Sequence, residues 1–283
     1  MNKDVIILAG GGFLGRTLIN SLKLNGYNQI GCIDLVNPNI DGVEFYALDL
    51  LKSSTEDLIS IIKNYNIVVN CLGQITNPIN ICFRLNTEGI NRITDAVVKT
   101  NKFLFHFSTV TVYGSVKSAN EETDLNPETP YSCSKAFAEY LIESKLDDNK
   151  YCIVRLSNLY GDEQPKGVFS YMKRSYNSDR ILEFNNNGEM VRYYLHVKDC
   201  ASIAVELLSQ SISGKYNLIG PDRFTLKELI SSAEQVLHIK FQGFFDNVVA
   251  PDNTLHITDE KLKKQIGIKY NNSIPESFKV IFK

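Results

Sequence analysis

Short apolar runs alternate with longer amphipathic stretches over the first half of the chain. The runs VIILA, IGCIDL, IVVNCLG, FLFHFST and YCIVRLS lack the period-two alternation of a strand with one solvated face. Between them lie stretches such as FLGRTLINSLKLNG and SKAFAEYLIESKL, which are typical of amphipathic helices. Strands that are apolar throughout indicate a sheet covered on both faces. The pattern therefore predicts an α/β fold with a doubly wound parallel sheet.

This rhythm loosens after residue 160. The stretch GDEQPKGVFSYMKRSYNSDRILEFNNNGEM carries Pro, Gly and an Asn triplet, all turn formers. A helix-like VKDCASIAVELL and a strand-like GKYNLIG then restore the rhythm, and TLKELISSAEQVL precedes a weakly patterned tail. We therefore expect a nucleotide-binding domain over residues 1–160, to which 192–219 return, and a small discontinuous C-terminal substrate lobe from 161–191 and 220–283.

Composition and charge exclude several classes of partner. The 283 residues carry a formal net charge of −2 without a basic cluster, so we expect neither a nucleic acid nor a membrane partner. The six cysteines form no Cys-x-x-Cys and no close Cys/His pairing, which indicates reduced thiols and no metal site. The N-terminal apolar run, about five residues long, is too short for a signal peptide or a membrane span. These features predict a cytoplasmic protein.

A glycine-rich turn, AGGGFLGR, follows the first predicted strand, with Gly12 and Gly15 spaced as G-x-x-G. Glycines let the backbone approach a pyrophosphate, and a helix starting near Phe13 would direct its positive end at the phosphates. An ordinary strand-to-helix turn has similar letters, so the loop alone is a weak signal. It becomes informative only with an acidic partner.

That partner is Asp34, at the end of the second strand and about twenty residues beyond the loop. A carboxylate there accepts hydrogen bonds from the adenosine ribose and repels the extra phosphate of NADP, so NAD is favoured over NADP. Asp49 and Leu50, after the third strand, are expected beside the adenine. The alternative for Asp49 is a helix cap.

Chance predicts about one Tyr-x-x-x-Lys pair in such a chain, so the pattern alone carries little information. Three pairs occur: Tyr113/Lys117, Tyr131/Lys135 and Tyr194/Lys198. The first lies in a loop and the third in an extended run. Only Tyr131 and Lys135 open a helix free of breakers, which stacks them on one face, one turn apart. The alternative for that lysine is a solvated residue on a surface helix.

Ser108 and Thr109 end a buried strand at the sheet edge where ligands bind. Hydride transfer from a carbinol to nicotinamide requires a base, and a tyrosine with a pKa near 10 is too weak unless positive charge lowers its pKa. Lys135 and the oxidised nicotinamide would supply that charge. We therefore expect Tyr131 as the base, Thr109 holding the substrate oxygen, and Lys135 also holding the nicotinamide ribose.

A set of motifs runs through nearly the whole chain in one order: GGGFLG, the Asp34 strand end, LDL, VVNCLG, LNTEGINRI, FSTVTVYG, PYSCSKAFAEYL, IVRLSNLYG, VRYYLHVKDCA and YNLIG. Each is weak alone, but together they resemble the extended short-chain dehydrogenase/reductases of the nucleotide-sugar epimerase/dehydratase branch. The resemblance implies a Rossmann-type fold, an NAD cofactor and a nucleotide-diphosphate sugar as substrate.

By position, the resemblance implies that Thr109, Tyr131 and Lys135 form the catalytic set. Besides Tyr131 and Lys135, it places these residues at NAD: Gly10, Gly12, Phe13, Leu14, Gly15, Asp34, Asp49, Leu50, Leu72 and Gly73. It places Asn158 and Arg192 at the substrate's phosphates or sugar, where Ser108 and Thr109 are also expected. An arginine suits a diphosphate because its planar fork donates two parallel hydrogen bonds. The alternative for Arg192 is a surface ion pair.

The chain departs from the family pattern at three places. Ala9 stands where the first glycine of the loop is expected, and Val110 and Thr111 replace the Asp-Glu pair that family dehydratases carry after the catalytic Thr. Ala250-Pro251-Asp252 replaces Arg-Pro-x-Asp, which removes a second phosphate-binding arginine. The missing acid/base pair argues against dehydration.

The main hypothesis is therefore an NAD-dependent nucleotide-sugar epimerase that acts through a transient keto-sugar. An NAD(P)H-dependent ketoreductase of a nucleotide-linked keto-deoxysugar is the first alternative, and a non-catalytic dinucleotide-binding sensor is the second. The resemblance also implies a homodimer built through INICFRLNTEGINRITDAVV and AFAEYLIESKL. Helices that merely flank a sheet would show the same pattern.

Overall fold

The computed structural model describes residues 4–73, 77–249 and 256–283. The strands are β1 Asp4–Leu8, β2 Gln29–Asp34, β3 Val43–Ala47, β4 Ile67–Asn70, β5 Phe103–Thr109, β6 Ser118–Ala119, β7 Tyr151–Leu156, β8 Asn158–Tyr160, β9 Ile181–Phe184, β10 Val191–His196, β11 Gly214–Leu218, β12 Asp222–Thr225, β13 Gln242–Phe245 and β14 His256–Ile257. The α-helices are α1 Phe13–Leu24, α2 Thr55–Ile62, α3 Ile79–Arg84, α4 Ile90–Thr100, α5 Pro130–Lys145, α6 Val168–Tyr176, α7 Val197–Ser209, α8 Leu226–Leu237, α9 Glu260–Gln265 and α10 Ile274–Ile281. A π-helical turn, Leu85–Gly89, joins α3 to α4, and a 3₁₀ turn, Val110–Tyr113, follows β5.

Seven strands form one parallel sheet in the order β11-β7-β5-β4-β1-β2-β3. Leu8 of β1, for example, lies opposite Ile33 of β2 on one side and Asn70 of β4 on the other. The strand order reverses direction between β1 and β4, and such a switch point is where ligands bind in open parallel sheets. The central strands are buried because helices cover both faces of the sheet. The predicted doubly wound α/β fold is confirmed.

Two apolar cores lie on opposite faces of the sheet. Helices α1 and α7 pack on one face through residues such as Leu18 and Ala204. Helices α2, α4 and α5 cover the other face through residues such as Leu58 and Ala138. No helix in the described part of the chain has both the length and the apolar character needed to cross a lipid bilayer.

A smaller core lies outside the sheet, between α6, α8 and α10, and includes Phe169, Leu229 and Phe278. The three-stranded sheet β12-β10-β8 and the pair β13-β9 belong to this part of the molecule. Within residues 192–219, β11 completes the central sheet beside β7, whereas β10 pairs with β8 and β12. The domain limits given above stay a prediction.

Candidate active site

A cleft of about 420 Å³ opens beyond the carboxyl ends of β1, β2 and β4, at the switch point of the sheet. Its walls bring together segments that are far apart in the sequence. Among the residues predicted to contact NAD, Gly12, Asp34, Asp49, Leu50 and Leu72 line it directly. The cleft therefore collects the loop, the second-strand carboxylate and the LDL turn in one place.

Close approach of the backbone explains the glycines of the loop. A Cβ on Gly15 would lie 2.4 Å from the Ala9 carbonyl oxygen, and one on Gly10 would lie 2.7 Å from Cys32 Sγ. Helix α1 begins at Phe13, and Gly12 before it provides no side-chain cap. The free N–H groups of that first turn can therefore donate to an anion such as a pyrophosphate.

The departure at Ala9 has a conformational cost. Ala9 adopts a left-handed backbone with a φ of 57°. A glycine accepts this conformation without the steric penalty that a Cβ brings. Leu14, on the first turn of α1, packs against the core beneath that helix and is only partly buried.

Asp34 ties the loop to the second strand. Its Oδ2 accepts a hydrogen bond from the Gly11 N–H at 2.9 Å, and its Oδ1 accepts one from the Leu35 N–H at 2.7 Å. Arg16 lines the same cleft, and its Nε donates to the Gly11 carbonyl at 3.0 Å. The sequence analysis did not single out Arg16; the available signal was the last residue of AGGGFLGR, which lies on the first turn of α1.

Asp49 stabilises a turn and does not cap the following helix. Its Oδ1 accepts a hydrogen bond from the Leu51 N–H at 3.0 Å, and its Oδ2 lies 3.2 Å from Lys52 Nζ. Helix α2 is capped instead by Ser54, in a capping box with Asp57. The helix-cap alternative for Asp49 is therefore wrong, and the carboxylate remains at the wall of the cleft.

The Tyr131/Lys135 pair lies at the start of α5. Thr129 and Ser132 form a capping box there, and Pro130 occupies the first helical position. A Cβ added to Gly73, after β4, would lie 3.1 Å from Lys135 Nζ, so the lysine adjoins the backbone that borders the cleft. No described residue forms a hydrogen bond with the Tyr131 hydroxyl, which leaves that group free for a ligand.

Thr109 ends β5 and caps the 3₁₀ turn that begins at Val110. Its Oγ1 accepts a hydrogen bond from the Thr111 N–H at 3.2 Å and lies 3.1 Å from Thr111 Oγ1. Thr111, one of the two residues that replace the Asp-Glu pair expected of a dehydratase, thus places its hydroxyl beside that of Thr109. Neither hydroxyl is an acid of useful strength at neutral pH.

Burial dominates the electrostatics of the pair. Burial raises the pKa of Tyr131 above its ordinary value, and the nearby Cys82 thiol adds to the rise. Burial also lowers the pKa of Lys135, to about 8, although Glu139, Cys82 and Cys71 act against that decrease. The pKa of the phenol is therefore raised in the free protein, and the expectation that Lys135 and the oxidised nicotinamide together lower it stays a prediction. Desolvation is the largest cause of both shifts, because it disfavours the phenolate and the ammonium alike.

Lys135 is 1% exposed and contacts two groups of β5. Its Nζ donates to the Phe107 carbonyl at 2.6 Å and lies 3.3 Å from His106 Nε2. His106 Nδ1 in turn lies 3.0 Å from Asn70 Nδ2. Sequence reading missed His106 because it stands inside the apolar run FLFHFST; a polar residue in such a run was the available signal.

The structure assigns Ser108 a partner inside the protein. Side chains alternate along β5, so Ser108 points toward α5 with His106, away from the face of Thr109. The Ser108 hydroxyl donates to the buried carboxylate of Glu139, which also binds the Arg155 guanidinium with Nη2–Oε2 at 2.7 Å. The Ser108 hydroxyl is thus engaged in a buried ion-pair network, and its expected substrate contact stays a prediction.

Asn158 and Arg192 lie on neighbouring strands outside the central sheet. β8 and β10 are parallel, with Asn158 opposite Tyr194, two residues beyond Arg192. Asn158 is exposed, and its Nδ2 donates to the Tyr193 carbonyl at 3.3 Å. Their roles stay predictions. The segment Ala250-Pro251-Asp252 lies outside the described residues.

Comparison with known sequences places this geometry in a family. The model of the NAD dependent epimerase/dehydratase family matches residues 5–219. A protein of Methanocaldococcus jannaschii provisionally named UDP-glucose 4-epimerase is 24% identical over 300 residues, which cover 97% of this chain and 96% of that protein. The dTDP-4-dehydrorhamnose reductase of Aggregatibacter actinomycetemcomitans is 24% identical over 255 residues, covering 87% and 79%.

Solved structures share the fold over the whole chain. MoeE5 in complex with UDP-glucuronic acid and NAD superposes with a TM-score of 0.87 at 18% identity, covering 99% of this chain and 97% of that one. UDP-glucuronic acid 4-epimerase from Bacillus cereus, in complex with UDP-glucuronic acid and NAD, gives a TM-score of 0.86 at 18% identity, covering 99% and 98%. At these identities the likeness establishes the fold.

Proposed function

The chain belongs to the NAD-dependent epimerase/dehydratase family, and we propose that it is an NAD-dependent epimerase of a nucleotide-diphosphate sugar. The observation that supports the proposal is the buried Lys135, whose Nζ would lie 3.1 Å from a Cβ on Gly73, directly after the cleft residue Leu72. The partly exposed Tyr131 precedes this lysine by one turn of α5, and Thr109 ends β5 at the same edge of the parallel sheet. Reversible oxidation of a carbinol needs a positioned base, and we assign that role to Tyr131, with Lys135 and Thr109 beside it.

The residues of the cleft fit an NAD molecule. The uncapped first turn of α1 suits the pyrophosphate. Gly15 lies so close to the Ala9 carbonyl that a side chain would not fit, and the backbone of the loop can therefore approach the phosphates. The Asp34 carboxylate, on the cleft wall, suits the adenosine ribose. Leu50 and Leu72 offer apolar contacts for the adenine. The NAD complexes of the structural relatives support the same cofactor.

The chemistry assigned to the protein's own residues follows from their positions. Thr109 holds the reacting hydroxyl, Tyr131 removes its proton and later returns it, and Lys135 holds the nicotinamide ribose. Bound NAD supplies a reversible hydride acceptor and, in its oxidised form, a positive charge. Since burial raises the pKa of Tyr131 in the free protein, we infer that this charge is required to make the phenol an effective base.

The substrate class rests on the smaller part of the molecule and on the relatives. Asn158 and Arg192 lie on the paired strands β8 and β10, two register positions apart, and an arginine suits a diphosphate. The relatives named above act on or bind UDP- and dTDP-sugars. Val110 and Thr111 offer no carboxylic acid for elimination of water, so epimerisation is favoured over dehydration.

One observation favours a second candidate. Arg16 lies in the same cleft as Asp34, and a guanidinium there can bind the 2′-phosphate of NADP(H). With NADPH, the same Thr109, Tyr131 and Lys135 would act once, as a ketoreductase of a nucleotide-linked keto-deoxysugar. The similarity to a dTDP-4-dehydrorhamnose reductase supports this alternative.

We also propose that the protein is a homodimer. Helices α3 and α5 expose Ile79, Phe83, Phe137 and Tyr140, and each of these side chains is at least 44% exposed. Large apolar side chains on two adjacent helices are typical of a helix-bundle interface. Light scattering on the wild type and on Phe83→Glu tests this: we expect a dimer and a monomer, respectively, and a monomeric wild type would refute the proposal.

The test of function begins with the nicotinamide species that co-purifies with the native protein, identified by mass spectrometry. Epimerisation recycles its cofactor, so near-stoichiometric NAD(H) is expected; an empty cleft that prefers NADPH would support the ketoreductase. UDP-, dTDP-, GDP- and CDP-sugars are then screened for isomerisation by NMR.

The matched variants are Tyr131→Phe and Tyr151→Phe. Tyr131→Phe should lower kcat about a thousandfold while NAD stays bound. Tyr151 begins β7, at the opposite end of the sheet, and its hydroxyl donates to Asp148 at 3.2 Å, so its variant should keep full activity. If Tyr131→Phe left all activity unchanged, a non-catalytic dinucleotide sensor would become the preferred function.

A further inference from the structure

A buried row of polar groups leads from the edge of the cleft to Lys135. It starts at the Leu72 N–H, passes through Asn70 and His106, and ends at Lys135 Nζ, with successive distances of 3.0, 3.0 and 3.3 Å. Asn70 and His106 are 2% and 0% exposed. The mechanism described above uses neither residue, although buried polar side chains of this kind must be matched as donors and acceptors.

The direction of each hydrogen bond in the row follows from its first member. The Leu72 backbone N–H can only donate, so the Asn70 atom that it contacts must be the amide oxygen. The amide nitrogen of Asn70 then points at His106 Nδ1. Because an amide NH₂ only donates, Nδ1 must be the acceptor and carry no proton. A neutral His106 therefore carries its proton on Nε2.

That proton points at Lys135. An ammonium has no lone pair, so a charged Lys135 would present donors to the Nε2–H donor. The neutral amine has one lone pair, which can accept from Nε2–H while an amine N–H donates to the Phe107 carbonyl at 2.6 Å. The hydrogen-bond pattern is thus complete with the amine and mismatched with the ammonium.

Other groups around Lys135 bear on its charge. Glu139, one turn further along α5, favours the ammonium, but its carboxylate is already paired with Arg155. Cys82 on α3 and Cys71 after β4 are thiols whose pKa values burial raises, so both are neutral near pH 7. Tyr131 is likewise a neutral phenol in the free protein. None of these groups replaces the hydrogen-bond acceptor that a charged Lys135 lacks while His106 Nε2 carries a proton.

We propose that His106 is a positioning residue for Lys135: oriented by Asn70, it presents Nε2–H to Nζ and stabilises the amine form of the lysine relative to the ammonium while the cleft is empty. The inference rests on the proposed function only in giving Lys135 a catalytic role. If the proposal holds, Asn70 of β4 and His106 of β5 help to determine the pH at which Lys135 of α5 loses its proton.

The first test reads the tautomer directly. Nitrogen-15 NMR of the histidine rings in the ligand-free protein, with His106 assigned through His106→Gln, should show an unprotonated Nδ1 and a protonated Nε2 at neutral pH. The opposite tautomer, or an imidazolium, would overturn the proposal. This measurement uses the wild type, so it remains decisive even if a variant fails to fold.

The second test reverses the donor at Nδ1. In Asn70→Asp the carboxylate can still accept from the Leu72 N–H, but it accepts rather than donates at Nδ1, so the proton moves to Nδ1 and Nε2 becomes an acceptor for the ammonium. The titration midpoint of Lys135, followed by carbon-13 NMR of lysine Cε and assigned through Lys135→Met, should rise by about one pH unit or more, a tenfold change in the amine-to-ammonium ratio.

Asn86→Asp is the control for added charge, because Asn86 lies near Lys135 but contacts Cys82 and not His106. It should leave the His106 tautomer unchanged, whereas Asn70→Asp should switch it. An unchanged Lys135 midpoint in Asn70→Asp would refute the proposal. Both readouts need neither cofactor nor substrate, so their failure leaves the epimerase proposal standing, and absence of sugar-nucleotide activity leaves this inference standing.

Discussion

The buried ammonium of Lys135 should leave a measurable mark on folding stability. Lys135→Met keeps the length and apolar stem of the side chain and removes the charge. The pKa of Lys135 falls from its ordinary 10.5 to about 8 because of burial, so the unfolded chain binds this proton more tightly than the native protein does. At 1.36 kcal/mol per pH unit, the protonated lysine costs the native state about 3 kcal/mol below pH 8.

The sign follows from the protons bound. Between pH 8 and 10.5 the unfolded state holds more protons at Lys135 than the native state, so the stability of the wild type rises with pH in that window. Integration from pH 7 to pH 9 gives a gain of about 1.3 kcal/mol in the wild type that Lys135→Met lacks. Loss of the hydrogen bond to the Phe107 carbonyl lowers the stability of the variant by an amount that does not vary with pH in this range.

Urea unfolding of both proteins is followed by circular dichroism at several pH values between 7 and 9. The quantity of interest is the change in the free energy of unfolding with pH in the wild type minus the same change in Lys135→Met. Groups that titrate alike in both proteins cancel. Parallel stability curves for the two proteins would refute the reasoning, since they would mean that Lys135 titrates in the native state as it does in the unfolded chain.

Three further substitutions test separate parts of the site. Ala9→Gly should raise the free energy of unfolding in urea by about 0.5–1 kcal/mol, because relief of the left-handed alanine outweighs the entropy of glycine; a less stable variant would contradict the strain. Ser108→Ala should leave KM for the sugar nucleotide unchanged but lower stability by about 1–3 kcal/mol, since the buried Glu139 loses a donor; a raised KM at unchanged stability would restore the substrate role. Asp34→Asn should shift the ratio of the NADP and NAD dissociation constants about tenfold toward NADP while Arg16 remains in the cleft; an unchanged ratio would show that Asp34 does not exclude the phosphate.

The sequence by itself determined the architecture and most of the cleft. Apolar runs without alternation can be buried only between two layers of helices, so the parallel sheet follows from local pattern. The tight glycine loop before α1 and the carboxylate of Asp34 are local features of strand ends, and parallel strands bring such ends to one edge. Helical spacing likewise placed Tyr131 and Lys135 on the same face of α5.

Only the tertiary structure decided which partners those side chains have. Ser108 was an available hydroxyl in sequence, but strand alternation and the packing of α5 direct it to Glu139. The pKa of Tyr131 is raised in the free protein because desolvation depends on everything packed around the phenol. His106 lies 29 positions from Lys135 and contacts it only because α5 crosses β5. Secondary structure depends mainly on neighbouring residues in the sequence. The pKa values and hydrogen-bond partners of side chains depend on groups that the fold brings together from distant parts of the chain.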